Sequence, residues 1–372
     1  MVLNTGDAIK SLGSNFVVLA PHRKTTYKLQ PPLKHEPSIV KLPSLNLIVS
    51  KLAYSRLSFL ILALTFFSFA FFFLTTIKLT VRKVVLIVHE PILALLVTLS
   101  YPILRIPYII EVHDPPPFKF FLFRAVYKTC KAIVTPSPSF KQCFKRDHVV
   151  FKKVYLLPNA FTEELFKESR EDNTRCFRLT LNLPRDLIIC TYSGQLTSRK
   201  NPTFIVRAVA ELEAPIRDKL FLLFVGGNIE EIRRLKAYCT KLGVNNVLFT
   251  GYVDPAIFPL YLKASDILLL PPGSHYRDGG MPLKLFEYMA TMKPVLAPNF
   301  QSIKEVIVDK VNGLLYNGED PKDLALKITE VVKNGDLAKK IAYNAFRDAL
   351  SKYTYKKRAE ALLSIIQENI RA

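Results

Sequence analysis

The sequence predicts an α/β protein of two doubly wound domains, each a parallel sheet covered by helices on both faces. Three observations predict it. Short apolar runs alternate with segments of helical length along most of the chain, the pattern of parallel strands buried on both sides. The runs fall into two sets, divided near Thr162–Pro184 by a polar, charged stretch (ESREDNTR, 168–175), as a linker should be. Loops bearing glycine, histidine or cations follow many of the runs, and doubly wound domains bind ligands outside the carboxyl ends of their strands. A length of 372 residues fits two domains, at roughly 100–200 residues each.

The first set of expected strands is Phe16–Ala20, Val84–Val88, Tyr108–Val112, Ala132–Thr135 and Val154–Leu157. The second is Leu187–Ser193, Leu220–Val225, Val247–Thr250, Ile267–Leu270 and Pro294–Ala297. One element does not fit a plain alternation. Leu57–Ile77 has 21 residues and no charge, with Arg56 before it and Lys78, Arg82 and Lys83 after it. About 20 apolar residues can span a bilayer core. Its phenylalanines surround the helix, so one side must face more than water. The runs before and after it read as buried strands, and if they share one sheet the helix between them cannot cross a bilayer. Three readings stand: a helix dipping into the membrane interface, a core helix, or a spanning one.

Apolar residues make up 49% of the chain and charged ones 22%, which excludes a disordered, collagen-like or disulfide-scaffold protein. The formal charge is +21 and unevenly placed: residues 1–153 carry 21 basic and 6 acidic side chains, net +15, and the rest net +6. Such a first half attracts an anionic partner: a membrane surface, a nucleic acid or a phosphorylated substrate. No nucleic-acid-binding motif is present, and the basic residues are scattered among apolar strands, so nucleic acid is not expected as a partner. Five scattered cysteines without metal-ligand spacing read as reduced thiols. No secretory signal is expected from the polar Met1–Lys10, which gives a cytoplasmic expectation.

The loops carry the chemistry. His89, Glu90 and Pro91 follow Val84–Val88, and His113 and Asp114 follow Tyr108–Val112. After Leu187–Ser193 comes Gly194, then Arg199 and Lys200 just before a helix, a combination suited to phosphate. Gly226 and Gly227 follow Leu220–Val225. A long loop after Ile267–Leu270 reaches Gly279 and Gly280 and then a helix holding Glu287; the two glycine amides could close on an anion. An acid on so apolar a helix needs a reason to be there. Lys284 reads as a solvated helix residue. Gly226 and Gly227 are open between a turn and a ligand contact.

In this order, the residues resemble a retaining glycosyltransferase of the two-Rossmann (GT-B) architecture, family 4. The resemblance is strongest from Tyr192 to Leu350. It rests on SGQLTSRKNP (193–202), FVGGN (224–228), LFTGYV (248–253), YLKASDILLLPP (261–272), GMPLKLFEYMATMKPVLAP (280–298) and NGLLYNGEDPKDLA (312–325). VHEP (88–91), EVHD (111–114), AIVTPS (132–137) and VYLLPNAF (154–161) match more loosely. The resemblance implies an N-terminal acceptor domain (1–162), a nucleotide-sugar donor domain (163–350) and a last helix returning to the first domain (351–372). It implies that Glu287 binds the nucleotide ribose, that Lys200 binds the diphosphate, and that Gly279 and Gly280 touch phosphate and sugar. Arg199, Gly194 and Gly226 complete the donor side. It implies that His113 is the catalytic residue beside the reacting carbon; His89 and Glu90 are acceptor-side candidates. No cofactor and no metal are expected, and the chain has no Asp-x-Asp.

The chain also departs from the family pattern. The first acid of the usual Glu-x7-Glu is Gly279, with Asp278 one residue earlier; the usual arginine five residues before the lysine is Gln195; the usual Pro-Asn-Gly-Val-Asp is Pro158-Asn-Ala-Phe-Thr162. The family's first strand and glycine-rich loop have no match before Phe16, so the first domain is expected to lack its first strand. The sequence-based expectation is a hexosyl-type, metal-independent transferase (EC 2.4) acting on a lipid-linked or glycan acceptor at the cytoplasmic face of a membrane. Its alternative is a catalytically inactive binding protein of the same fold at the membrane.

Overall fold

The computed structural model describes residues 2–15, 17–21, 38–42, 56–81, 84–113, 121–146, 154–163, 166, 173–277 and 279–370. The chain forms two compact units: Met1–Pro158 together with Arg358–Ala372, and Asn159–Lys357. Asp114 and Asp278 lie outside the described residues, as does the side chain of His275.

The first unit opens with a helix, Val2–Ser11, and two parallel strands, β1 (Val17–Pro21) and β2 (Ser38–Leu42). The long apolar helix spans Arg56–Thr80. A four-stranded parallel sheet follows: β3 (Leu86–Val88), β4 (Tyr108–Glu111), β5 (Ala132–Thr135) and β6 (Val154–Leu156), side by side in that order. Among the described strands β1 pairs with β2 alone, so the runs flanking the apolar helix do not share a sheet. β4 is buried along its whole length. Its Tyr108 hydroxyl meets Thr98 at 2.7 Å on the helix Pro91–Leu104. That helix starts on a proline, which needs no amide partner there, and ends where Arg105 turns left-handed at φ 48°.

The apolar helix is neither wholly inside nor wholly outside. Ala70 and Leu74 are buried, and Phe67 and Phe71 pack beside them against the core behind β3 and β4. On the opposite side of the helix, Phe69, Phe72 and Leu79 are exposed. Lys78 donates to the carbonyl of Leu104, tying its end to the neighbouring helix. Among the described residues no helix is long and apolar enough to cross a membrane; the side chains of residues 56–63, 65 and 66 are not among them.

The second unit holds a six-stranded parallel sheet: β7 (Ile188–Ser193), β8 (Leu220–Val225), β9 (Val247–Gly251), β10 (Ile267–Leu269), β11 (Val295–Pro298) and β12 (Leu314–Tyr316). Their spatial order is β9-β8-β7-β10-β11-β12. The chain winds outward from β7 in one direction, then returns and winds outward from β10 in the other. β7 and β10 therefore flank the switch point, where a crevice opens above the strand ends. Two strands escaped the sequence reading. β2 carries a lysine and lies between polar and proline-rich stretches, and β12 is three residues long.

Below the sheet, Arg178 is the anchor. Its guanidinium donates to the carbonyls of Ala264, Arg185 and Leu187 and to Asp266, which in turn accepts the amide of Ile189 at 2.7 Å. A buried guanidinium needs this many acceptors. The network sits at the amino ends of β7 and β10, away from the crevice.

Candidate active site

Above the switch point, the turn after β7 is built on close backbone approach. Gly194 has φ +126° and Gly226, after β8, has φ +114°. A Cβ on Gly226 would lie 2.6 Å from the Gly194 carbonyl oxygen. Only glycine lets the two turns meet. That settles the structural need for Gly226 and leaves its neighbour Gly227 to accommodate Leu196. Glu231 sews the same turns together: its Oε2 accepts the amides of Leu196 at 3.0 Å and Asn228 at 3.2 Å. Asn228 returns the favour as the cap of the helix Ile229–Lys241, accepting the Glu231 amide, a reciprocal capping box.

The loop between β7 and its helix then makes a short turn, Ser198–Lys200. Arg199 is exposed; Lys200 is half-buried, its ammonium 5.2 Å from the Tyr276 ring centroid. Burial first, and Arg199 second, push the Lys200 ammonium below the usual lysine range. Gly273, after β10, backs onto this turn, 3.1 Å from the Arg199 carbonyl oxygen at its Cβ position. The loops that leave β7 and β10 thus touch.

The helix Leu283–Met289 carries Glu287. Gly279, at φ +96°, and Gly280 are buried in the turn before it. Tyr288 pins the helix to the sheet: its hydroxyl accepts the Ser193 amide at 2.8 Å. Burial raises the Glu287 carboxyl above its ordinary range, and Lys284 partly offsets that. The Glu287 carboxylate accepts no hydrogen bond from any described residue. A carboxylate can accept several hydrogen bonds, and that capacity is open here.

Lys284 is not a solvated helix residue. Its Nζ turns inward, donates to the Tyr192 hydroxyl at 3.1 Å and to the Ser193 carbonyl, and lies 4.3 Å from the Tyr192 ring centroid. The face of the helix that presents Glu287 also presents residue 284, one turn earlier. Reading Lys284 by charge alone missed that geometry.

The first unit carries its own cluster. His113 follows β4 and His89 follows β3, and their rings stack with centroids 6.1 Å apart. Glu111 lies beneath both. His113 Nε2 is 2.9 Å from its Oε1, and His89 Nδ1 is 3.6 Å from its Oε2. Arg358, where the last helix rejoins this unit, pairs with the same Oε1 and donates to the carbonyls of Leu157 and Pro158. Burial alone would raise the Glu111 carboxyl. His113, Arg358 and His89 outweigh it and hold the carboxyl down to about 2. Burial lowers the basicity of His89 despite that carboxylate. Glu90 is exposed, outside the cluster.

Among the described residues His89, Glu111 and His113 are the group whose donor atoms could surround a metal ion. Arg358 already supplies that carboxylate with a cation, so the donor set suits an ion-paired triad better than a divalent metal. Sequence reasoning found the two histidines and missed their partners. The signal for Glu111 was a charge closing an otherwise apolar strand.

Comparison with known proteins places this geometry. Residues 177–348 match the family model of glycosyl transferases group 1. The uncharacterized glycosyltransferase MJ1069 of Methanocaldococcus jannaschii is 24% identical over 244 residues, 66% of this chain and 60% of that one. A D-inositol 3-phosphate glycosyltransferase of Nocardioides sp. is 29% identical over 186 residues, 46% of this chain and 40% of that one. The chain thus spans about half the length of these curated relatives. In fold, sucrose-phosphate synthase from Thermosynechococcus elongatus superposes with a TM-score of 0.77 at 17% identity, covering 99% of this chain and 92% of that one. Anabaena Alr3699/HepE, solved with UDP and glucose, gives 0.73 at 16% identity, covering 99% and 95%. Residues 177–348 are therefore similar to the glycosyl transferases group 1 family, and the chain takes the two-domain GT-B fold.

Proposed function

We propose that this protein is a metal-independent, retaining hexosyltransferase that takes its sugar from a nucleoside-diphosphate donor. The observation that carries the reading is the assembly above β7 and β10. Lys200, the Gly194 turn and Glu287 converge on the crevice of the second unit, where such a fold binds its ligand. Glu287, with its acceptor capacity open, takes the ribose hydroxyls. Lys200, assisted by Arg199 and the turns at Gly194, Gly226, Gly279 and Gly280, takes the diphosphate. Negative charge grows on that leaving group as the sugar bond breaks, and preorganised cations and amides favour the charged state. His113 is the catalytic side chain of the first unit, held by Glu111; His89 and Glu90 serve the acceptor side. That Alr3699/HepE was solved with UDP and glucose supports a uridine or related nucleotide.

The acceptor in this reading is membrane-associated, lipid-linked or glycan, and the protein works at the cytoplasmic face, peripheral to the membrane. Supporting this are the net +15 of residues 1–153 and the exposed apolar side chains on the helix Arg56–Thr80 and its neighbour. Apolar insertion and basic charge add in membrane binding.

Thermal stabilisation by a panel of UDP, GDP and their sugars tests the donor reading, on the intact protein and on Glu287→Ala. Ligand at about 100 times Kd adds about 2.7 kcal/mol. Stabilisation by one nucleotide, lost in Glu287→Ala, supports the site and names the base. A folded protein stabilised by none of them overturns it. The second reading, a binding protein of the same fold without turnover, is favoured by Gly279 and Gln195 standing where the family carries an acid and an arginine. Stabilisation without release of free nucleotide from any donor–acceptor pair would select it.

A further inference from the structure

We propose that Lys284 is a further binding cation for the donor's diphosphate, placed on the helix of Glu287 in a chain whose β7 loop offers Gln195 where the family has arginine. The inference rests on the donor reading above and adds to it a residue that neither motif nor family pattern assigns.

The geometry is specific. Lys284 stands in the first turn of the helix Leu283–Met289, three residues before Glu287. Its Nζ comes to the carboxyl end of β7, against Ser193 and Tyr192. A Cβ on Gly194 would run into that Nζ, so the opening that the glycine provides is the space that the ammonium uses. An ammonium has three donors. Two are used here, on the Tyr192 hydroxyl and the Ser193 carbonyl, and no described residue takes the third.

The electrostatics point the same way. Burial disfavours the charged form of Lys284 and Lys200 repels it, while Glu287 attracts it; the balance is a pKa of about 7. Of the other groups around it, Tyr192 and Tyr288 are neutral because burial raises both, Glu231 is spoken for by two amides, and Arg199 adds positive charge beside Lys200. Two lysines and one carboxylate therefore share a half-buried space with an excess of positive charge. A donor serving only the Ser193 carbonyl would do better as a neutral amide, with no charge to desolvate. A lysine repelled by a second lysine is explained by an anion that bridges both.

The consequence is a proton. A diphosphate beside Lys284 favours its charged form, so binding at pH 8, above the free value of about 7, takes up part of a proton. The affinity then falls as pH rises from about 7.5 to about 8.5, a range in which the diphosphate is almost fully ionised and the base keeps its ring proton.

Calorimetric titration of the intact protein with UDP and with GDP, at pH 8 in buffers of different ionisation enthalpy, tests this. Wild type is expected to take up a fraction of a proton with the nucleotide that binds. Lys284→Met is expected to take up none and to bind the diphosphate about tenfold or more weakly, the loss of one charged hydrogen bond. Its affinity for the parent nucleoside stays unchanged. Lys284→Arg, always charged, is expected to keep much of the diphosphate affinity with no proton uptake. The Arg variant also answers if the Met variant does not fold. Lys284→Met or Lys284→Arg binding with wild-type affinity and wild-type proton uptake overturns the proposal alone. A folded wild type that binds neither UDP nor GDP overturns the donor reading, and this proposal with it.

Discussion

Arg358 and Glu111 form a buried ion pair within the first unit, the guanidinium 2% exposed and the carboxylate 3%. The pair joins two distant parts of the sequence. Glu111 ends β4, directly before the loop of His113, and Arg358 stands where the chain returns after the whole second unit. The arginine also takes the carbonyls of Leu157 and Pro158. The last helix is therefore part of the support of His113, and not merely a cover for the sheet.

Removing one partner leaves a buried charge without compensation, which costs about 3–5 kcal/mol. Arg358→Ala should lose about that much in equilibrium denaturation, and Arg358→Met with Glu111→Leu should recover a good part of it. A single-variant loss below about 1 kcal/mol would show that the pair is solvated and does not hold the loop.

The same pair sets a pH dependence. The Glu111 carboxyl is held down to about 2 from an ordinary 4.5. Its folded value is depressed, so its stabilisation is present above about 4.5 and is lost as pH falls from there toward 2. Between pH 5 and 3, wild type should lose more stability than Glu111→Gln does. Parallel acid curves for the two would contradict the ion-paired assignment.

How far the sequence carried the reading depends on what kind of residue was asked about. The strands from β3 to β11 were legible because buried parallel strands are continuous apolar runs, and loops such as Gly194 and Gly226 because few residues allow such turns. β12, with Leu314–Tyr316 inside a turn-rich stretch, carried too few residues for a periodic signal. Glu111, Arg358 and Lys284 were harder for another reason. Their meaning lies in partners 247 residues away for the first two and 91 residues away for the third. A charge at a strand end or on a helix reads as solvated until the fold supplies the partner. Glu287 was the exception, because an acid on an otherwise apolar helix conflicts with its own surroundings.

Glu287→Gln should weaken a ribonucleotide by roughly tenfold or more, the range of hydrogen bonds to a charged group. The sharper measurement uses the 2′,3′-dideoxy analogue. Wild type should discriminate strongly against it, and Glu287→Ala should bind both forms equally. Undiminished discrimination in the variant would move the ribose contact to another residue.

Gly194→Ala tests whether the turn is a structural necessity for the lysine. The methyl would run into Lys284 Nζ on a backbone at φ +126°. The left-handed strain alone costs about 1–3 kcal/mol. The variant should be destabilised by that order in thermal melting and should lose nucleotide stabilisation as well. Gly243→Ala, also at positive φ (+69°) but with open space around its Cβ, should lose stability and keep the nucleotide response.

The membrane reading turns on a few side chains. Phe72 and Leu79 are 73% and 83% exposed on the helix Arg56–Thr80, and Leu99 and Ile103 are 65% and 71% exposed on the helix packed against it. Water gains nothing from such a surface, and each side chain placed in lipid contributes up to about 1.5–3 kcal/mol. Because these groups are exposed, replacing them by serine should shift stability by no more than about 0.5 kcal/mol each. Phe72→Ser with Leu79→Ser should therefore cut binding to anionic vesicles by tenfold or more in flotation while leaving the melting temperature nearly unchanged. Raising salt should weaken the wild type further, since basic charge and insertion act together. Equal flotation of wild type and double variant would assign vesicle binding to charge alone; no flotation of the wild type would remove the bilayer from the reading altogether.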